Sequence, residues 1–326
     1  MTSHRTIPPI PEIETPGPIP EPLAVDAEGR LRRRFLFIRG HPRSGTNWLG
    51  RVLNLHPRVH TRGEFHFEHL QDAFARFMSK THYMGAKPPV RDAARKMLRQ
   101  SIRQCLGAIG TEKPDAIWLG DRSPTPLRRV LPGARQIVIL RDGRDVLVSF
   151  TFHQFKNGEL WKQDRFKKSF TPMRDRFLAD PDYFRQHPGE LLADESWVRF
   201  VADRWATRAL HDLEAARRLH GSKDGDRVAV LRYEDLHADV ERVRSQLYRF
   251  LGLDPAEAAP VEEGEDTRPG LEKEQPGEYR RKGQVGDWRN YFSDRTEKVF
   301  MEAAGDVLEG LGYQTDTTGA VAHAAR

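Results

Sequence analysis

The sequence predicts an α/β protein, a single domain in which a parallel sheet is flanked by helices on both faces. Apolar runs at 35–38, 136–140 and 227–231 each have the length of one buried strand. A helical pattern follows each run, and strands that alternate with helices indicate parallel strands. Ligands of such sheets bind beyond the carboxyl ends of the strands, so the loops after these three runs form the predicted site.

The first strand leads into a glycine-flanked loop and then a helix. The loop covers 40–46, and the helix after it has apolar residues at helical spacing, namely Trp48, Leu49, Val52, Leu53 and Leu55. Strand, loop and helix in this order can hold a phosphate, because backbone N–H groups point into the loop and the helix N-terminus adds partial positive charge. Gly40 and Gly45 let the backbone approach the anion closely.

The other elements follow from periodicity in chain order. Helices are predicted at 64–79, 90–107, 126–131, from 146 onward, and at 195–219, 239–251 and 294–311, with a short strand at 117–119. Residues 156–194 are expected to be irregular and 253–287 to be mostly loop. The proline-rich segment 1–30 is predicted to be a disordered or extended arm, 31–313 the domain, and 314–326 a loose tail.

Composition limits the class of protein. With 326 residues, 38% of them hydrophobic, the chain can build a proper core. The net charge of +6 indicates an anionic ligand or partner, although a merely basic surface gives the same sum. The single Cys105 excludes an internal disulfide framework and a multi-cysteine metal site. No stretch reads as a signal peptide or a membrane span, so we expect a cytoplasmic protein without stable membrane insertion.

The loop after the first strand differs from the nucleotide-triphosphatase P-loop. That pattern needs Lys and then Ser or Thr after the second glycine, whereas here the cation lies inside the loop as Arg43. Residues 42–48, PRSGTNW, resemble the 5′-phosphosulfate loop of the sulfotransferases, which move a sulfuryl group from 3′-phosphoadenosine 5′-phosphosulfate (PAPS) to a hydroxyl or amine. The resemblance implies a P-loop-like phosphosulfate-binding loop made of Arg43, Ser44, Gly45, Thr46 and Asn47, with Trp48 stacking on the adenine.

Three further stretches resemble the same family, in the same order along the chain. Residues 140–149 look like its 3′-phosphate motif, which implies that Arg141 and Ser149 bind that phosphate. In 231–236, Tyr233 matches the tyrosine that contacts the adenine side. Residues 281–292, RKGQVGDWRNYF, resemble the C-terminal signature of the cytosolic-type enzymes, in which Arg281, Lys282 and Gly283 would close over the 3′-phosphate. Taken singly, each stretch also fits a structural role, such as a surface turn, a core aromatic or a solvated basic run.

Two departures from the cytosolic-type pattern concern catalysis. The loop cation is Arg43 and not Lys, and because Arg does not readily give up a proton its expected role is to stabilise charge. The stretch that supplies a catalytic His in those enzymes reads 120–124, GDRSP, and has none. Residues 42–64 look like the tyrosylprotein and bacterial sulfotransferases, in which the Glu after a Gly is the base. We therefore expect Glu64 to be the base, with His66 and Asp121 as substitutes. As a structural alternative, Glu64 is a favourable helix N-terminal acid.

No metal is expected. His66 and His69 would need a third ligand, and the spacing along the sequence suggests none. The acceptor walls are expected at 65–83 and 152–184, where aromatic residues suit a lipid, phenol or steroid, while the lysines and arginines suit an acidic saccharide. Ordinary core packing would also account for the aromatics, which are Phe67, Phe74, Tyr83, Phe152, Phe155, Trp161, Phe166 and Phe170.

A P-loop kinase and a nucleic-acid-binding protein are the alternative functions. The loop lacks the kinase Gly-Lys-Ser/Thr, and Arg141 stands where a kinase more usually places a metal-binding Asp. The basic residues are concentrated at strand ends and loops and not along one stripe, so we expect a small-molecule, lipid or saccharide partner and no nucleic acid. Residues 289–298 depart from the family's dimer motif, which leaves the oligomeric state open.

Overall fold

The fold is built on one parallel sheet of five strands. The computed structural model describes residues 5, 7–13, 32–80, 82, 84–220, 227–261 and 283–314. Within them the strand order is β2-β3-β1-β4-β5, and the four strand pairs are all parallel, as predicted. The strands are β1 (Arg34–Gly40), β2 (Val59–Arg62), β3 (Trp118–Arg122), β4 (Arg135–Leu140) and β5 (Arg227–Arg232).

Helices connect the strands. They are α1 (Thr46–Leu53), α2 (Phe67–Ser79), α3 (Pro88–Ile109), α4 (Gly143–Asn157), α5 (Asp164–Ala179), α6 (Tyr183–Gln186), α7 (Glu195–Leu219), α8 (Tyr233–Ala238), α9 (Val240–Leu251) and α10 (Asp294–Gly310). Short 3₁₀ turns occur at Met84–Ala86, Leu160–Lys162, Pro188–Glu190, Pro255–Glu257 and Asp287–Asn290. Among these helices, none combines the length and the apolar character that crossing a bilayer requires.

Side chains alternate between the two faces of the sheet, and both faces are covered by helices, as predicted. On β4, Ile137 and Ile139 pack with α1, α8 and α9, while Val138 and Leu140 pack with α4, α7 and α10. On β1, Phe37 points to α2 and α3. Each fully buried aliphatic side chain of this kind contributes about 1.5–3 kcal/mol, so the two cores fix the sheet that carries the site.

The segment 156–194, predicted to be irregular, is largely helical. Its main element is α5, whose buried residues Phe166, Phe170, Met173 and Phe177 recur every three to four positions. These side chains pack against α4 and α7. The helical spacing is therefore present in the sequence, but the many charged residues and the internal Pro172 obscure it.

The brief helix predicted at 126–131 does not form. The segment is irregular, and the N–H of Leu127 donates to Asp212 Oδ1 on α7 at 2.8 Å. Leu127 and Leu131 are buried there. Prolines at 124, 126 and 132 also favour extended backbone in the residues before them, so tertiary anchoring and proline together exclude the helix.

The edges of other elements also differ from expectation. Strand β2 was not predicted, and α2 begins at Phe67 and not at 64.

Part of the proline-rich arm contacts the domain, because Ile7 and Ile10 pack against the α7 and α10 side of the core. Most of the arm and residues 315–326 of the predicted tail lie outside the described residues, so the predicted domain boundaries stay a prediction.

Candidate active site

The loop between β1 and α1 has the backbone geometry of an anion-binding turn. Arg43 (φ 75°) and Gly45 (φ 98°) both adopt left-handed conformations, which a non-glycine residue rarely does. Turns that include such residues can direct successive N–H groups into one concavity that attracts anions. The hydroxyl of Ser44 is buried and has no hydrogen-bond partner within the described part of the chain, so it is available to an anion held there.

Gly45 also makes room for Tyr233. A Cβ atom on Gly45 would lie 2.6 Å from Cδ2 of the Tyr233 ring. Non-bonded carbon atoms in proteins essentially never come this close. The loop after β1 and the residue after β5 are therefore in direct contact, although 188 positions separate them in the sequence.

Arg141 connects the loop to two other parts of the site. Its Nη1 donates to the carbonyl of Arg43 at 3.1 Å, and its Nη2 donates to the carbonyl of Gln284 at 2.8 Å. Its guanidinium lies over the ring of Tyr233, 4.3 Å from the centroid. Arg43 in turn donates through Nε to Ser149 Oγ at 3.1 Å. The structure therefore brings together Arg43, Arg141, Ser149 and Tyr233, which the sequence placed in three separate motifs.

Trp48 and Tyr233 form an edge-to-face aromatic pair, with ring centroids 5.3 Å apart. Trp48 is only 5% exposed and belongs to the core on the α1 side of the sheet. Burial raises the pKa of Tyr233 to about 12, so its hydroxyl keeps its proton at neutral pH. Stacking of Trp48 on adenine stays a prediction, because the burial of this ring equally fits a core aromatic.

The segment that follows Lys282 is held against α4. The hydroxyl of Tyr233 donates to the carbonyl of Gly283, and Asp145 accepts the N–H groups of Gly286 (2.7 Å) and Trp288 (2.9 Å). Burial raises the pKa of Asp145, while Arg141 and these N–H groups oppose that shift. Arg281 and Lys282 themselves lie outside the described residues.

A cavity of about 640 Å³ lies beside the loop. Arg43, Thr46 and Asn47 line one part of it, and Glu64 lies in the lining as well. The predicted base and the predicted charge-stabilising residue therefore face the same space. The loop that carries Glu64 directly follows β2, at the carboxyl edge of the sheet.

His66 lies between two carboxylates. Its Nε2 is 3.1 Å from Glu64 Oε2, and its Nδ1 is 2.7 Å from Glu68 Oε1. Partial burial lowers the pKa of His66, but the hydrogen bonds with Glu68 and Glu64 outweigh this effect and raise the pKa above its ordinary value. His66 can therefore orient the Glu64 carboxylate and exchange a proton with it. Its backbone is left-handed (φ 52°), a conformation concentrated at functional sites.

Asp121, expected as a substitute base, is sealed inside the fold. It is fully buried and forms an ion pair with Arg39 at 2.8 Å. Its Oδ1 accepts hydrogen bonds from Ser123 Oγ (2.8 Å) and from the N–H of Phe65 (3.1 Å). Because these groups occupy the carboxylate and no surface is open, its geometry suits an anchor for the Glu64 loop and not proton abstraction.

Arg122, His153 and Arg204 are among the residues of the cavity lining that were not identified from the sequence. His153 follows Ser149 by four positions on α4, and this helical spacing was the available signal. Burial, and then the charge of Arg43, lowers the pKa of His153 to about 4. At neutral pH its imidazole is therefore uncharged.

His66, Glu68 and His69 place one potential metal-ligand atom each within 4.8 Å of one another. The spacing-based objection to a third ligand is therefore wrong, since Glu68 supplies one. Both ring nitrogens of His66 already face carboxylates, and this arrangement also fits a proton-transfer role. The predicted absence of a metal stays a prediction.

Most aromatic residues expected to line the acceptor site are core residues. Phe152, Phe155, Phe166 and Phe170 are each at most 6% exposed, and they pack with α4, α5 and α7. Phe67 is buried against α3, and Tyr83 lies outside the described residues. The ordinary-core interpretation is the correct one for these five side chains.

A parallel sheet with a loop of anion-binding geometry at its carboxyl edge is typical of α/β proteins that bind phosphate-like groups. The family model described as the sulfotransferase domain matches residues 33–312. The chain therefore belongs to the sulfotransferase family and is a sulfotransferase, which confirms the prediction from the four motifs. No curated protein sequence matches the chain significantly.

The chain is similar to several solved structures. For a mouse sulfotransferase complexed with PAP, the identity is 16%, the match covers 87% of each chain and the TM-score is 0.42. For retinol dehydratase in a complex with retinol and PAP, these values are 17%, 86% of this chain and 82% of the other, and 0.41. For the sulfotransferase of Alicyclobacillus acidocaldarius they are 15%, 86% and 97%, and 0.39. Because these TM-scores are below 0.5, the assignment to the sulfotransferase family depends on the match to the family model and not on these structures.

Proposed function

We propose that this sulfotransferase moves the sulfuryl group of PAPS to a hydroxyl or amine of an acceptor by in-line transfer, with Glu64 as the base. The observation that supports this most directly is one cavity that Arg43 of the anion-binding loop and Glu64 both line. In-line transfer needs a charge-stabilising group and a proton acceptor around the same reacting centre.

The residues present fit PAPS. The buried Ser44 hydroxyl has no partner in the described part of the chain, and the left-handed turn at Arg43 and Gly45 suits an anion. Arg141 and Ser149 would hold the 3′-phosphate, with Tyr233 and Trp48 toward the adenine and Arg281, Lys282 and Gly283 closing over the site. When bound, PAPS supplies the sulfuryl group and leaves as PAP.

Each of four residues has a separate role in the proposed transfer reaction. Arg43 stabilises negative charge that develops in the cavity, because its guanidinium stays protonated at any physiological pH. Glu64 takes the proton of the acceptor group. His66 orients the Glu64 carboxylate through the 3.1 Å contact between its Nε2 and Glu64 Oε2. Asp121 is a positioning residue that anchors the backbone at Phe65.

Calorimetric binding of PAP, with ADP and with ATP plus Mg²⁺ as controls, tests the donor site. We expect tight PAP binding that does not depend on metal and is lost in an Arg141→Ala/Lys282→Ala double variant. A matched Arg199→Ala/Lys298→Ala variant removes the same charges from α7 and α10 and should bind normally. Binding of ATP with Mg²⁺ and not of PAP would overturn the proposal in favour of a kinase.

A further inference from the structure

Helix α7 contacts the two loops that carry the proposed phosphate sites. The loop after β1 starts from Gly40, the last residue of that strand, and the loop after β4 starts at Arg141. The last residue pair in the register of β1 and β4 is Gly40 and Ile139, so both loops begin where the sheet pairing ends. Buried backbone groups at such a point need hydrogen-bond partners from elsewhere in the fold, and α7 supplies them.

Arg208 on α7 holds the start of the first loop. Its Nη2 donates to the carbonyl of Gly40 at 2.8 Å, and its Nε donates to Asp212 Oδ2 at 2.8 Å. Asp212 is buried, and its Oδ1 accepts the N–H of Leu127 at 2.8 Å. A Cβ on Gly40 would lie 2.7 Å from the carbonyl oxygen of Ile139, so the backbone here also packs directly against β4. The guanidinium therefore connects the loop to a buried carboxylate through charge-assisted hydrogen bonds.

Trp205 on α7 holds the start of the second loop. Its Nε1 donates to the carbonyl of Arg141 at 3.0 Å, and this hydrogen bond is buried. A Cβ on Gly143 would lie 2.5 Å from Cδ2 of the indole ring, so the backbone can lie against the ring only because position 143 has no side chain. The loop after β4 is therefore fixed both by a hydrogen bond and by close packing.

The two contacts come from one face of a single helix. Trp205, Arg208 and Asp212 are three and four positions apart, which places their side chains on the same face. Positions 205 and 208 lie about 4.5 Å apart along the helix axis, and α7 is held in place by packing against α4 and α10. The side chain of Arg141 adds a direct bond between the loops, through the carbonyl of Arg43.

We propose that α7 sets the separation between the 5′-phosphosulfate loop and the 3′-phosphate loop, with Arg208 and Trp205 as positioning residues for PAPS. This inference depends on the proposed function, since it takes the loop at 40–46 to bind the 5′ group and Arg141 to bind the 3′-phosphate. One ribose ring joins the two anionic groups of PAPS and limits the distance between them. Loops that are already held at the matching distance can bind both groups at once without moving.

Ligands with one phosphate or two distinguish a spacing role from a general structural role. The probes are PAP, adenosine 5′-monophosphate and adenosine 3′-monophosphate, and their affinities are measured by calorimetry, the weaker ones by displacement of PAP. In Arg208→Gln we expect PAP affinity to fall about tenfold, since a hydrogen bond from a charged group is lost. The affinity for each monophosphate should stay within about twofold, because a single phosphate can bind its own loop wherever that loop lies.

Two further variants and a control sharpen the test. Trp205→Phe removes the N–H donor and keeps an aromatic ring, so it should show the same pattern. Arg208→Lys keeps the charge but lacks the guanidinium geometry that bonds Gly40 and Asp212 together, so it should recover only part of the PAP affinity. Arg199→Gln, at an exposed position of the same helix, should leave all three affinities unchanged.

The outcomes separate the inference from its alternatives. A loss by the same factor for all three ligands would assign α7 a general role in the fold and contradicts the inference. Unchanged PAP affinity in Arg208→Gln and Trp205→Phe contradicts it as well. Absence of PAP binding to the unmodified protein would overturn the proposed function and, with it, this inference.

Discussion

The two sides of the cavity are built differently. On the donor side, defined by Arg43, Arg141, Ser149, Tyr233 and 283–288, side chains are bonded to one another or to the main chain. On the acceptor side, defined by Glu64, His66, Arg122, His153 and Arg204, the side chains of Glu64 and His66 are 32% and 38% exposed, and Arg204 is unpaired among the described residues.

The difference corresponds to what each side would bind. A donor side whose groups are already held in place loses little conformational freedom when one invariant ligand binds. On the acceptor side the backbone is held from below, because the buried carboxylate of Asp121 accepts the N–H of Phe65. The side chains of Glu64 and His66, on the same loop, stay accessible. Under the proposed function, this arrangement would keep Glu64 in place while acceptors contact the outer side chains.

The largest effect is expected on the acceptor side. Glu64→Gln removes the proposed base, so kcat should fall by about 100- to 10,000-fold, while PAP affinity stays unchanged because the donor side is intact. Steady-state kinetics and calorimetry measure the two quantities, with Glu214→Gln on α7 as a control. Loss of PAP binding in Glu64→Gln would show that the two sides are not separate.

The next effect is expected on the donor side. Arg43→Ala should lower kcat by about 100- to 1000-fold, as removal of one preorganised charge-stabilising donor typically does. Arg43→Lys keeps the charge but loses the Nε contact with Ser149, so it should recover only part of the rate. Turnover near that of the unmodified protein in Arg43→Ala would contradict the role of this residue.

Stability should depend on pH through Glu234, a partly buried carboxyl next to the donor side. Glu234 accepts the N–H of Asp142 and the hydroxyl of Tyr313, and burial raises its pKa to about 7. Since the folded protein holds this proton up to a higher pH than the unfolded chain does, the stabilisation is complete below about pH 4.5 and is lost as the pH rises through 7.

Relative to Glu234→Gln, the unmodified protein should therefore lose about 2–3 kcal/mol of unfolding free energy between pH 4.5 and 8. Urea unfolding of both proteins across this pH range measures the difference. A difference that does not change with pH would mean that Glu234 titrates normally.

The smallest effect tests how firmly 283–288 is held. In Asp145→Asn, one of the two acceptors for the N–H groups of Gly286 and Trp288 becomes a donor, a mismatch that costs about 1–3 kcal/mol. We expect PAP affinity to fall about tenfold with the fold retained, as measured by calorimetry and circular dichroism. Asp175→Asn, on the surface of α5, is the control. Unchanged PAP affinity would separate this segment from the donor side.

The donor side was largely predictable from the sequence because its residues belong to short local motifs at strand ends. Arg43, Arg141 and Tyr233 each stand at or just beyond the end of a recognisable apolar run. The acceptor side was less predictable, since its geometry depends on long-range contacts. The partner of Asp121 is Arg39, 82 positions away, and no local pattern indicates that pair.

The missed elements have similar causes. Strand β2 has four residues, VHTR, at the edge of the sheet, too few for alternation to indicate a strand. Helix α5 has the correct apolar spacing, but charged residues and Pro172 interrupt it. Arg204 faces the cavity only because α7 crosses beside α4, and the sequence of α7 does not show which of its exposed arginines does so.

The contact between Gly45 and Tyr233 has an evolutionary consequence. Position 45 is restricted twice, by its left-handed backbone and by the ring 2.6 Å from where a Cβ would be. A smaller residue at 233 would relieve only the second restriction. Divergence at these two positions is therefore asymmetric: a lineage can replace Tyr233 while keeping Gly45, whereas a replacement of Gly45 remains deleterious whatever residue stands at 233.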